Sequence, residues 1–203
     1  MQSYLNTANI AKNHDGIEYH PLIPFLPSNA KILFLGSFPP QRKRWSIDFY
    51  YPNFINDHWR IEGDIFFGDK DYFVDVQNKR FRLSEIVEHC YSRGIAFFDT
   101  SYAIRRLMDN ASDKFLEVVE PTDIRTLIAG LDGLRAIITT GEKATQTICS
   151  YYGIDSVPKV NDYIVLDDRL ELYRLPSSSR AYPLAFPKKV EAYRVMFEKY
   201  GLL

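Results

Sequence analysis

Cysteine is scarce in this chain of 203 residues: there are two, Cys90 and Cys149, and neither sits in a CxxC pair. A disulfide framework, a cysteine-built zinc site and an iron–sulfur cluster therefore have no support. Two buried thiols in helical segments are what remains. Long apolar runs are missing as well. Nothing approaches the roughly 20 residues of a membrane span, and residues 1–11 lack the basic-then-apolar pattern of a signal peptide. The chain thus reads as a cytoplasmic protein with no membrane partner. Positive charge is not in excess, since 25 Lys and Arg against 26 Asp and Glu leave a formal charge of −1. Any surface for nucleic acid must come from local clustering. There is no G-x-S-x-G elbow and none of the four histidines stands in a recognisable triad context, which removes the usual grounds for an α/β hydrolase.

Against these gaps stands an excess of aromatics, 15% of the chain with 14 Tyr and 14 Phe. Most are expected in the core, with a minority left to stack on bases. Short apolar runs at 32–35, 95–98 and 136–139 read as buried strands. Helices are expected over 56–67, 84–93 (Ser84 as N-cap, Gly94 just past the end), 122–131, 141–152 and 188–200. Two hairpins, 72–76 with 80–83 and 163–166 with 170–175, complete the set. Strands alternating with helices predict an α/β fold, a three-layer α/β/α sandwich on a central, mostly parallel sheet of about four strands. No repeat, low-complexity run or linker divides the chain. One domain over 1–203 is expected, with 1–30 an arm that Pro21, Pro24 and Pro27 keep irregular as it packs on the rest.

In such a sheet, ligands bind beyond the carboxyl ends of the strands, and three segments fall there. Gly36-Ser37-Phe38-Pro39-Pro40 makes a rigid, kinked loop suited to a pocket wall. In it, Phe38 either offers a ring face to a flat heterocycle or belongs to the core. Asp99-Thr100-Ser101 ends the second strand, where Asp99 orients a water, hydrogen-bonds a base edge or caps the next segment. After the last core strand, Ser177, Ser178 and Ser179 supply hydroxyls and amides suited to phosphates, and Arg180 or Tyr182 is placed to enter a duplex as a wedge. Upstream, Asn53 and Asn56 sit among Phe49, Tyr50, Tyr51 and Trp59. An Asn amide can hold a water by its oxygen while donating from its nitrogen; capping the next helix is the other use of Asn56. The basic triplet Arg42-Lys43-Arg44 comes just after the first loop and suits phosphate contact, and Arg105-Arg106 extends the same surface.

Taken in order, these segments resemble the uracil-DNA glycosylase superfamily, and within it the hypoxanthine (deoxyinosine) DNA glycosylase branch. Gly36-Ser37-Phe38-Pro39 is similar to the branch's first motif. Phe49-Tyr50-Tyr51, Asn56 and Trp59 match the stretch beyond that motif. Gly94-Ile95-Ala96 with Asp99 is similar to the second motif, Gly141-Glu142-Lys143-Ala144 to a helix start, and Leu175-Pro176-Ser177-Ser178-Ser179 to the third motif. The resemblance spans about residues 20–200. It implies excision of a deaminated base (hypoxanthine, uracil or xanthine) from DNA by hydrolysis, as in base excision repair of DNA damage.

Most superfamily members carry a catalytic polar residue at the position of Phe38; the resemblance implies that Asn56 takes over by positioning the attacking water. Base contacts are expected from Gly36, Ser37, Phe38, Pro39, Tyr51 and Asp99. DNA contacts are expected from Arg42, Lys43, Arg44, Ser177, Ser178, Ser179, Arg180 and Tyr182. No metal or cofactor is implied. The partner is DNA containing a damaged base, and the chain is expected to act as a monomer. Departures from the pattern are specific. Asp57 stands where the family has Arg, Arg180 where it often has Pro, Tyr182 where it often has Asn, and the His-Pro pair ahead of Asn56 is gone. A catalytically weak or inactive member of the same fold, binding nucleic acid or a free base, is the competing expectation.

Overall fold

A computed structural model describes residues 16–108 and 115–203. Residues 1–15 of the expected arm, and with them the start of the chain, lie outside the described residues. In chain order the strands are β1 (Ile17–Tyr19), β2 (Ile32–Gly36), β3 (Val74–Asp75), β4 (Arg80–Phe81), β5 (Ile95–Asp99), β6 (Ser101–Arg106), β7 (Leu116–Pro121), β8 (Ala136–Thr139), β9 (Asp162–Val165) and β10 (Glu171–Arg174). The helices are α1 (His58–Phe67), α2 (Leu83–Arg93), α3 (Ile124–Ile128), α4 (Glu142–Tyr151) and α5 (Phe186–Lys199).

The central sheet has the order β5-β2-β8-β10-β9. Its first four strands run parallel and β9 is antiparallel to β10. The sheet therefore has five strands, where about four were expected; the second hairpin adds an edge strand to the parallel set. The three strands read from apolar runs are buried nearly end to end, as strands covered on both faces must be. β9 is exposed along most of its length, in keeping with its place at the edge.

Aromatics fill the core, as expected. Phe34 stacks on Phe97 with centroids 5.4 Å apart, and Trp59, wholly buried, donates its indole N–H to the Tyr50 carbonyl at 3.1 Å. Cys90 and Cys149 are buried free thiols in α2 and α4. Gly94 ends α2 in the left-handed region at φ 72°, and a Cβ there would stand 2.4 Å from the Asn29 carbonyl oxygen, so glycine is needed twice over.

Several expectations are corrected. A second sheet, β1-β6-β7, is antiparallel throughout. Residues 17–19 of the supposed irregular arm are thus a strand, and 101–106 continue as a strand directly after β5. Only Thr100 separates β5 from β6, so Asp99-Thr100-Ser101 is a sharp passage between two sheets. Ser84 is not the cap of α2; the helix begins at Leu83, and the Ser84 hydroxyl donates to Glu85. α3 covers five residues of the expected 122–131, opened by Asp123, whose carboxylate accepts from the Thr126 N–H.

Candidate active site

Strand register brings the functional segments together. Gly36 pairs with Asp99 across β2 and β5, Leu35 with Thr139 across β2 and β8, and Arg174 with Thr139 across β10 and β8. All four parallel strands therefore stop at one level, and the chain leaving each opens onto the same side. There a cavity of about 960 Å³ is lined by Gly36, Ser37, Phe38 and Pro39, by Tyr51 and Asn56, by Asp99, and by Ser177, Ser178, Ser179 and Tyr182. Thr140 and the opening residues of α4 line it too. That volume is at the upper end of small-ligand sites.

Asn56 stands one residue ahead of Asp57, which occupies the cap position of α1. The Asn56 side-chain oxygen accepts the His58 N–H at 2.9 Å, which opens α1, and the residue also lines the cavity with Phe38. Tyr51 has φ 48°, an uncommon backbone setting for a bulky residue. It is held there from two sides. Its ring stacks on His58 with centroids 3.7 Å apart and planes within 7°, and its hydroxyl hydrogen-bonds the Thr140 hydroxyl at 3.2 Å. Phe38 is 8% exposed and packs with Ile104 and Leu116, so it is part core and part wall.

Behind Tyr51 lies a buried polar cluster that the sequence did not signal. Glu62 is wholly buried; His89 Nε2 donates to its Oε2 at 2.9 Å. His58 Nε2 stands 2.9 Å from Oε1, at an angle too poor for a full hydrogen bond. Burial pushes the Glu62 carboxyl up, but the two facing imidazoles more than offset it and hold it at about 2. Burial lowers His58. The strained Tyr51 thus rests on a histidine that is itself fixed from behind.

Asp99, on the cavity floor, is also held. His20 Nε2 donates to Asp99 Oδ2 at 2.8 Å, from a side chain with no exposure. Tyr50, whose hydroxyl donates to the Ile23 carbonyl at 2.8 Å, is pushed up by burial and then by the Asp99 charge. His20 was missed in the sequence. Its only local mark is a place before Pro21, and its partner is 79 residues away.

The expected phosphate contacts divide. Ser177, Ser179 and Tyr182 line the cavity partly exposed. Ser178 is 1% exposed and its carbonyl accepts the Asp57 N–H at 3.0 Å, a position that fastens the loop. Arg180 is outside the cavity lining; its Nε donates to Asp57 Oδ1 at 2.7 Å. Two of the departures noted in the sequence, an acid at 57 and a base at 180, are therefore partners. With Lys189, which donates to the Ser179 carbonyl at 2.7 Å, they clamp the third loop to the start of α1. The basic triplet is exposed on the surface but not part of the cavity lining; Arg42 pairs with Asp48 at 2.5 Å and covers the Trp45 ring. Of the second basic pair, Arg105 meets Glu117 at 2.8 Å, while Arg106 meets buried Glu18 and donates to the Pro39 carbonyl at 3.2 Å, bracing the first loop.

No family model matches the chain, and no curated protein matches it. Among solved structures, it is similar to a protein of Methanosarcina acetivorans, solved by solution NMR and provisionally named a uracil DNA glycosylase. The two share 22% identity over 88% of this chain and 97% of the other, with a TM-score of 0.56. At that identity the likeness establishes a shared fold. Among the described residues, no helix is long and apolar enough to cross a membrane.

Proposed function

We propose that the chain is a monofunctional DNA glycosylase of the uracil-DNA glycosylase superfamily. It hydrolyses the bond between a deaminated base (hypoxanthine, uracil or xanthine) and its sugar, after the nucleotide has left the stack. The observation that carries this reading is the meeting of Phe38, Tyr51, Asn56 and the serine loop on one cavity at the carboxyl end of the sheet. The likeness in fold to a protein provisionally named for that activity supports it. Within the superfamily, the loop motifs favour the hypoxanthine branch and its three-layer α/β/α core. The chain acts as one domain and as a monomer.

Flipping a nucleotide costs a few kcal/mol, least where the pair is mismatched or damaged. A chain with net charge −1 gains little from phosphates in bulk, so lesions with a low flipping cost are the ones it captures. Tyr51, braced by His58, gives the base a flat ring that does not yield. Ser177, Ser179 and Tyr182 take flanking phosphates. Asn56 has its amide plane set by the His58 N–H, and its nitrogen and second oxygen lone pair direct a water at the anomeric carbon. The departing base carries negative charge. α4 begins at the cavity with no side-chain cap on its first amides, and those N–H groups stabilise an anion.

Single-turnover excision on a hypoxanthine duplex tests the assignment. Asn56→Ala is expected to slow base release by about 100-fold, with lesion-duplex affinity little changed. A variant as fast as the parent protein removes Asn56 from the mechanism.

A further inference from the structure

Phe38 brings no polar group to the cavity, and the Asn56 oxygen already accepts a backbone N–H. Neither leaves the cavity with a base for the proton that water must lose. Two carboxylates line the cavity: Glu142, which is exposed, and Asp99, which is buried and held from behind by His20. Asp99 ends β5 beside Gly36, and its Oδ1 would stand 2.4 Å from a Cβ at that position, so only a glycine lets the carboxylate lie over the β2 backbone. Oδ2 is taken by His20, which has no exposure and is enclosed by aromatic rings: Phe98 at 4.4 Å, Phe38 at 5.4 Å and Tyr50 at 6.4 Å. His20 Nδ1 faces the Leu22 carbonyl at 2.9 Å and the Leu22 N–H at 3.2 Å, so the ring is fixed at both nitrogens. A buried imidazole aimed at a carboxylate, with its other nitrogen anchored to backbone, orients that carboxylate and leaves one oxygen for the cavity.

We infer that Asp99 is the catalytic base and electrostatic partner of the sugar, and that His20 is its positioning residue. This rests on the glycosylase reading and deepens it. The C1′–N bond breaks with its electron pair leaving on the base, and the cationic sugar that forms is stabilised by the Asp99 charge. The water oxygen then bonds C1′, and one water proton passes to Asp99, which returns it to solvent, where the base anion takes up a proton. Asn56 aims the water; Asp99 makes it a nucleophile.

The experiment is single-turnover excision by the full chain on uracil, hypoxanthine and xanthine duplexes, with and without sodium formate. Asp99→Ala is expected to fall by about 100-fold or more with lesion-duplex affinity retained, and formate, a carboxylate small enough for the vacated space, restores part of the rate. Formate does not restore Asn56→Ala. His20→Ala is expected to lose between roughly 10- and 100-fold in rate, again without loss of affinity. Asp99→Asn, which keeps an acceptor for His20, must be as slow as Asp99→Ala, and carries the test if the alanine variant does not fold. Asp99 variants within about threefold of the parent rate would overturn the inference. So would a changed base preference at an unchanged rate, because the carboxylate would then be reading the base edge. If the parent protein opens no site in any duplex, the glycosylase reading itself fails, an outcome distinct from an active protein indifferent to Asp99.

Discussion

Gly36→Ala is expected to keep the fold and lose base excision by about 100-fold. The cause is local. The added methyl would fall 2.4 Å from Asp99 Oδ1 and 3.6 Å from its Cγ, so either the carboxylate turns away or β2 and β5 part at their paired ends. Overpacking of this kind costs about 1–3 kcal/mol, within what most domains tolerate, but the displaced group sits on the cavity floor. Gly130→Ala supplies the control, because a Cβ there meets nothing within 4 Å. Thermal melts and single-turnover rates for the two variants are the comparison. A Gly36→Ala protein that excises at the parent rate would mean that the floor of the cavity plays no part in the reaction.

His89→Leu is expected to destabilise the protein by about 3–5 kcal/mol at neutral pH, the usual effect of stripping a partner from a buried charge. Glu62 would keep one poorly aligned imidazole in a site with no solvent. The dependence on pH has a definite sign. In the folded protein the Glu62 carboxyl is held at about 2, against 4.5 ordinarily. Its stabilising effect is therefore complete above pH 4.5 and is lost as pH falls toward 2. His58, lowered from 6.5 by burial, takes up its proton more readily unfolded than folded, so acidification below about pH 6.5 also weakens the fold. Urea unfolding at pH 7 and pH 3 measures both effects. The parent protein should be the weaker at pH 3, and the gap to His89→Leu should narrow. A gap that widens in acid would contradict the ionised state of Glu62.

The parts of the fold legible in the sequence are those where one local signal suffices. β2, β5 and β8 are apolar runs closed by Gly36, Asp99 or Thr140, and burial on both faces leaves no other reading. Gly94 and Gly141 mark helix boundaries for the same local reason. β1, β6 and β7 were not legible. β1 is three residues long in a proline-rich stretch, and β6 and β7 mix polar and apolar residues because their sheet is partly exposed; each is a strand only through its neighbours. The site divides in the same way. Its loops were legible as sequence motifs, and their convergence follows from parallel topology. Its supporting contacts join residues far apart in the chain: His20 with Asp99, Glu62 with His89, Asp57 with Arg180. The last pair shows the limit best. Read singly, each residue is a departure from a pattern. Together they are one ion pair that ties two loops.

The cavity is proposed to accept a flipped base and to free it from its sugar. The direct measurement is incubation of the purified chain with duplexes carrying a single uracil, hypoxanthine or xanthine, alongside an undamaged duplex, followed by alkaline cleavage and mass detection of the released base. The expected result is a strand break at the lesion and the matching free base for at least one of the three, with the undamaged duplex intact. Tight retention of a lesion duplex with no base released from any of them would contradict it.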